Sequence, residues 1–226
     1  MTATKLTTIS SQLDYEGRFA GHHFTLLANP IPAYESLLRH LSPEGASLEN
    51  LKLDATVLSS ANISCHLPTV GTTVKFRIDR FEVSFSYLRE ETDVAKKTLA
   101  TAWNALHAAD PSVVLATHTL SARLYARFDA DYESLMKGLL TAGVLSAAKG
   151  GAGIMISAGD DDVTGRRFGS VSMDFWGPSP GNNFAVLRAN ATFLAGKVPI
   201  EHAFDRFDAY VTESLLHLNL SLSKGS

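Results

Sequence analysis

The sequence predicts an α+β fold in which a mainly antiparallel, curved sheet has helices on one of its faces. Several segments alternate apolar and polar residues with the period of a strand, and others place apolar residues at helical spacing. These segments follow one order twice: a strand, a short helix, several strands and a long helix. Runs of strands between helices favour antiparallel pairing, with the helices packed against one side of the sheet.

The first half of the chain opens with an extended segment and a short helix. Residues 13–28 have strand-like composition interrupted by Gly17 and Gly21, which predicts a bulged strand or two short strands. Residues 30–41 begin with prolines and place one tyrosine and three leucines on one helical face. We therefore expect a helix that starts at these prolines.

Two further extended segments and a long helix complete this half. Residues 51–67 are typical of a strand with a break, and between residues 74 and 87 the apolar alternation changes phase near Asp79 and Arg80. A one-residue shift turns apolar side chains to the other face of a sheet, so a bulge or a tight hairpin must lie there. Residues 91–109 place apolar side chains at helical spacing and predict a long helix.

The second half repeats this order. Residues 112–128 alternate strictly between apolar and polar side chains, which predicts a strand with one buried and one solvated face. A short helix at 129–140 and a flexible connection at 141–153 follow. The remaining predicted elements are three strands and a closing amphipathic helix, at residues 152–158, 167–176, 184–196 and 200–218.

The two short helices contain nearly the same residues, "AYESLL" from Ala33 and "DYESLM" from Asp131. Together with the repeated order of elements, this match predicts an internal duplication, with one α+β repeat in residues 1–110 and a second in 111–226. We expect the repeats to pack as a single globular unit. Their order resembles the duplicated saddle of the TATA-binding-protein fold, as an architecture.

Composition excludes some classes of protein. The 226 residues are 45% hydrophobic and 19% charged, which is typical of a globular protein, and the net charge of −3 gives no general attraction for nucleic acid. The single cysteine, Cys65, favours a reducing compartment. No apolar leader is apparent, and no stretch approaches the ~20 apolar residues of a membrane span. We therefore expect a cytoplasmic protein without membrane contact.

Three consecutive carboxylates, Asp160, Asp161 and Asp162, precede Arg166 and Arg167. A calcium loop requires acidic ligands that alternate along the chain, followed by a later glutamate, and this stretch lacks both. Strand-like segments flank it, and its glycines and polar residues are typical of a turn. The stretch predicts a hairpin connection, and the sequence predicts neither a metal site nor a cofactor.

Polar side chains on three predicted strands are the strongest candidates for a binding site. They are Arg123, Tyr125 and Arg127 on one strand, Asp174 on the second, and Arg188 and Asn190 on the third. If the strands share a face, these side chains suit a ligand with anionic or hydrogen-bonding groups. The alternative is a solvated face with cross-strand ion pairs.

Trp176 and His118 are two further candidates for contact with a ligand or partner. Trp176 adjoins a loop rich in proline and glycine, where an exposed aromatic side chain can anchor a partner, or it covers the edge of the core. His118 lies within the predicted strand at 112–128.

The sequence favours a non-catalytic binding or assembly protein that holds a protein partner or a small-molecule ligand on its scaffold, and a homo-oligomer is left open. In that hypothesis no residue has a catalytic role. The alternative is a metal-independent enzyme for a small molecule, with a cleft between sheet and helices and with His118, Arg123 or Asp174 taking part. A third hypothesis, nucleic-acid binding through the arginines, is not favoured by the charge.

Overall fold

The computed structural model of the chain describes residues 3–57, 60–86, 92–128, 130–139, 152–176 and 183–223. These residues form ten strands in one sheet and five α-helices, as the predicted α+β class requires. In chain order, β1 to β10 are Thr4–Phe19, Leu51–Asp54, Asn62–Leu67, Thr72–Phe76, Arg80–Ser86, Leu115–Phe128, Ala152–Ala158, Arg166–Trp176, Phe184–Leu194 and Leu220–Ser223. Helices α1 to α5 are Thr25–Ala28, Ile31–Leu41, Thr92–Ala109, Tyr132–Leu139 and Ala203–His217.

The strands lie in the order β2-β3-β4-β5-β1-β6-β9-β8-β7, and neighbours in this order are antiparallel. The short β10 pairs parallel with the first residues of β1. Strands β1 and β6 therefore form the centre of the sheet, and β2 and β7 form its two edges.

Pairing between β1 and β6 joins the two halves of the chain. The contact extends from Leu6 opposite Phe128 to Phe19 opposite Leu115, with irregularities near Thr8 and Arg18. The order of elements is the same in the two halves, but β10, at the end of the second half, returns to β1 in the first. The sheet is thus continuous across the predicted boundary, while the duplication itself stays a prediction.

Alternation along the strands separates a core face from a solvated face. On β6, Leu120, Leu124 and Phe128 are buried, whereas Arg123 and Tyr125 are exposed. The buried residues of all five helices belong to the same hydrophobic core as the buried strand residues, so the helices cover one face of the sheet. We call the other face, which carries the alternate polar residues, the open face.

Three details differ from the sequence prediction, and one agrees with it. The segment predicted to be extended as far as residue 28 ends as a strand at Phe19, and Thr25–Ala28 form the short helix α1. Strand β1 begins at Thr4, well before residue 13, because its polar first residues pair with β6 and β10 on both sides. Strand β10 follows the closing helix and was not predicted, because four residues give too short a pattern. The phase change near Asp79 is a hairpin between β4 and β5, as predicted.

The predicted flexible connection at 141–153 falls mostly outside the described residues, which resume at residue 152 in β7. Within the described part of the chain, no helix combines the length and the apolar character needed to cross a membrane.

Candidate functional site

Strands β6, β9 and β8 are neighbours, so the polar side chains predicted on them share the open face. Arg123 on β6 lies directly opposite Arg188 on β9, and Arg188 lies opposite Ser172 on β8. In the next row, Asn190 lies between Ser121 and Ser170. The antiparallel register therefore brings together the central members of the predicted set.

These side chains surround a concave hollow of about 410 Å³ on the open face, which we call the polar hollow. It extends across four adjacent strands, β1, β6, β9 and β8. Its lining consists of Gln12, Asp14, Ser121, Ala122, Arg123, Ser170, Ser172, Arg188, Ala189 and Asn190. A volume of a few hundred Å³ is in the range of small-molecule sites.

The two arginines of the polar hollow differ in their partners. Arg188 donates to the carboxylate of Asp174 on β8, forming an ion pair across the strands. Arg123 is exposed and has no ion pair or side-chain hydrogen bond within the described part of the chain. Like charges directly opposite each other destabilise a sheet. Asp174 thus pairs with Arg188 and leaves the facing Arg123 without an ion pair, and an anion placed between the two guanidinium groups would be attracted to both.

Hydrogen-bonding groups surround the arginines. Asn190 Nδ2 donates to Ser121 Oγ over 2.6 Å, which fixes the orientation of its amide. The hydroxyl groups of Ser170 and Ser172 have no side-chain partner among the described residues. The hollow therefore offers hydroxyl groups, which both donate and accept, beside a guanidinium group that only donates.

Tyr125, Arg127 and Trp176 lie on the same face, farther along the strands. The side chain of Tyr125 is 44% exposed and that of Trp176 is 40% exposed. The Arg127 guanidinium lies 5.5 Å from the centre of the Phe184 ring, and Phe184 lies opposite both Arg127 and Trp176. These residues form an aromatic border next to the hollow and do not line it.

His118 lies on the other face of β6, buried in the core. Its Nε2 donates to the Val198 carbonyl over 2.9 Å, so its Nδ1 accepts the Tyr15 hydroxyl over 2.7 Å. Burial lowers the pKa of His118 and raises that of Tyr15. Because both ring nitrogens are occupied and the ring is enclosed, His118 is not accessible from the polar hollow.

On β1 and β5, the charged side chains of the open face form ion pairs with one another. There Glu16 pairs with Arg18 and Arg80, and Arg80 also pairs with Glu82. Asp79 adds a further carboxylate to Arg80. This part of the sheet is a solvated face with cross-strand ion pairs. On β6, β8 and β9, for which the sequence left that alternative open, the Arg188–Asp174 pair fits it and the unpaired Arg123 does not.

The three consecutive carboxylates lie in the hairpin between β7 and β8, where the sequence predicted a connection. Asp160 pairs with Arg167, and Asp162 pairs with Lys197 over 2.9 Å. Asp161 accepts the Thr164 hydroxyl, which lowers the pKa of the Asp161 carboxyl. Among the described residues, no group of three or more histidine, cysteine, aspartate or glutamate side chains is arranged to hold a metal ion.

A slot between the sheet and α5 lies where the enzyme hypothesis expects a cleft. Its volume is about 60 Å³, and Leu13, Leu124, Phe204 and Phe207 are among its lining residues. Small-molecule sites measure roughly 300–1,000 Å³, so the slot lies well below that range. It is too small for a metabolite.

Another polar cluster lies at the end of α3, beside a hollow of about 280 Å³. Asp110 accepts hydrogen bonds from His23 Nδ1, from the Ser112 hydroxyl and, over 3.3 Å, from the Thr25 hydroxyl. These contacts attach the segment after β1 to the end of α3. They occupy both oxygens of the carboxylate, which has a structural role there.

Sequence reasoning missed Gln12 and Asp14, which belong to the polar hollow. Both lie on polar positions of β1, one on either side of the buried Leu13. The alternation of polar and apolar residues is visible in the sequence. Only the pairing of β1 with β6 places Gln12 and Asp14 beside Arg123.

No protein-family model matches the sequence, and no curated protein matches it.

Proposed function

We propose that this is a non-catalytic binding protein that holds a small ligand with an anionic group in the polar hollow. The supporting observation is the Arg123 and Arg188 pair, in which Arg188 has an ion pair with Asp174 and the facing Arg123 has none among the described residues. A phosphate or carboxylate on the ligand accepts from Arg123, and its neutral polar groups bond to Ser170 and Ser172.

The mixed charge of the hollow defines the ligand further. Asp14 lies on β1 opposite Ser121, one row from Arg123, and provides a negative group. A ligand with an anionic end and hydrogen-bond donors can bind the arginines with the first and the Asp14 carboxylate with the second. A bare polyanion would be repelled by the Asp14 carboxylate. For the same reason, nucleic acid is a weaker candidate.

The enzyme alternative has less support because His118 is separated from the other two candidates, Arg123 and Asp174. His118 is buried on the core face, Arg123 lies on the open face, and the slot beneath α5 is small. A protein partner is the stronger second candidate, since Tyr125 and Trp176 expose aromatic surface next to the hollow. In that version an acidic side chain of the partner occupies the place of the ligand anion.

A cytoplasmic location is part of this proposal. Its support is the single thiol, Cys65, which is free and buried, and whose pKa burial raises to about 11. Such a thiol is unreactive at neutral pH and forms no structural disulfide.

Native mass spectrometry of the protein purified from its source cells, followed by thermal unfolding with phosphate and carboxylate compounds, tests the proposal. We expect a retained small molecule and a higher Tm with compounds that fit. Arg123→Gln should weaken binding by about ten- to a hundredfold, because a hydrogen bond to a charged group contributes about 1.5–3 kcal/mol.

Arg206→Gln is the matched control, since Arg206 is exposed on α5 and the substitution removes the same charge from the helix side. Equal affinity of the two variants, or no stabilisation by any compound, would contradict the proposal. A stoichiometric protein in place of a small molecule would favour the partner version.

A further inference from the structure

The outer edge of the sheet at β7 has no partner strand within the described part of the chain. Strand β7 pairs with β8 on one side only. Its seven residues, "AGIMISA", include no charge and no proline. Edge strands in natural proteins usually carry a charge or a proline, or are very short, which prevents pairing with another chain. The opposite edge strand, β2, has four residues and includes Lys52 and Asp54.

We propose that β7 pairs antiparallel with β7 of a second copy of this chain. The reason is that the strand is nearly a palindrome about Met155. A two-fold axis through Met155 places Ile154 opposite Ile156 of the second copy and Gly153 opposite Ser157. It also places two alanines, residues 152 and 158, opposite each other. The strand is thus complementary to itself in size and polarity, as an interface with two-fold symmetry requires.

The same register preserves the two faces of the sheet. Ile154 and Ile156 are half-buried on the helix side, where pairing buries more of their surface. Met155 lies opposite Ser172 on the open face, and its side chain is 70% exposed. Cross-strand pairs of β-branched side chains stabilise a sheet. In addition, the pairing satisfies backbone groups that β7 otherwise presents to water.

The expected association is weak. One strand pair buries less than the ~1,200–2,000 Å² of a stable interface, so the dimer should form in a concentration-dependent way. This inference is independent of the ligand proposal, because no residue of β7 lines the polar hollow.

Analytical ultracentrifugation across a range of concentrations tests the dimer. We expect the mass to rise from 24.3 kDa towards twice that value. Met155→Lys places like charges next to each other at the two-fold axis and should weaken the dimer by about a hundredfold or more. Val163→Lys adds the same charge at a side chain that is 93% exposed in the hairpin, and should leave the dimer intact.

Cysteine cross-linking tests the register. Met155→Cys brings the two thiols together on the axis and should form an intermolecular disulfide under mild oxidation. Ser157→Cys should not, because residue 157 faces residue 153 of the second copy and lies about 13 Å from its own equivalent at ~3.4 Å per residue. The native Cys65 is buried and does not compete. A monomer at every concentration, or equal cross-linking of both variants, would overturn the proposal.

Discussion

His118 and Arg123 lie on the same strand but have opposite environments. Their positions differ by an odd number of residues, so their side chains project to opposite faces of β6. His118 is enclosed by the core and has two hydrogen-bond partners, whereas Arg123 is exposed and unpaired among the described residues. A polar residue in a strand therefore has a structural or a binding role according to the face on which it lies.

The buried state of His118 predicts a pH dependence of stability. Burial lowers its pKa in the folded protein, whereas the unfolded chain binds a proton near the usual value of about 6.5. Below that pH the unfolded state holds more protons than the folded state. The free energy of unfolding should therefore be at its full value above about pH 6.5 and decrease as the pH falls below it.

Urea unfolding of the wild type at about pH 7.5 and about pH 5.5, on either side of the usual histidine pKa, measures this decrease. In His118→Gln the decrease should become smaller, whereas His66→Gln, which removes an exposed imidazole from β3, should retain it. Equal pH dependence in the two variants would show that another group is responsible.

At the scale of elements, α5 approaches the sheet at a glycine of β8. A methyl group at Gly169 would come within 2.5 Å of the Tyr210 ring on α5. The Arg166 guanidinium lies over the same ring, 5.0 Å from its centre, and limits its movement. A small residue at position 169 is thus required for the helix to pack at this distance.

Gly169→Ala should destabilise the protein by about 1–3 kcal/mol, since an added methyl group in a packed contact displaces the helix or the ring. Gly138→Ala in α4 is the matched control, because no described atom outside its own stretch of helix lies within 4 Å of its added methyl group. That change should be neutral or stabilise by up to about 1 kcal/mol. Denaturant midpoints of the two variants check the difference, and similar midpoints would contradict the packing role.

Most elements could be predicted because each has a pattern of its own. The strand at 152–158 has the predicted bounds, and the phase of apolar side chains predicted a bulge or a hairpin near Asp79, where the structure has a hairpin. The first half of β1 was missed because it is rich in serine and threonine. These residues are extended because their backbone pairs with neighbouring strands, and not because of a pattern of apolar burial. The local pattern of a sequence does not say which strands will be its neighbours in the sheet.

At the scale of the whole molecule, the pairing of β1 with β6 and the return of β10 to β1 connect the two halves. Each half keeps its other strand pairings by itself, but β1, β6 and β10 lose neighbours when the halves are separated. Folding of one half should therefore depend on the other, although each has the order of elements of a complete unit.

This dependence predicts a single cooperative unfolding transition. Trp103 on α3 lies in the first half and Trp176 on β8 in the second, so Trp176→Phe leaves a fluorescence reporter for the first half and Trp103→Phe leaves one for the second. In denaturant, fluorescence and circular dichroism should give coincident transitions within each variant. A fluorescence transition that precedes loss of the circular dichroism signal would instead indicate two independent domains.

The sequence by itself determined the class of fold, most helices and strands, and which residues of β6, β8 and β9 lie on a polar face. These properties follow from the local periods of side-chain burial, which are 2 for strands and 3.6 for helices. Only the tertiary structure decided that Arg123 faces Arg188, that Asp174 pairs with Arg188, and that Gln12 and Asp14 join the hollow. Strand order and register set those neighbours, and both depend on contacts between residues far apart in the chain.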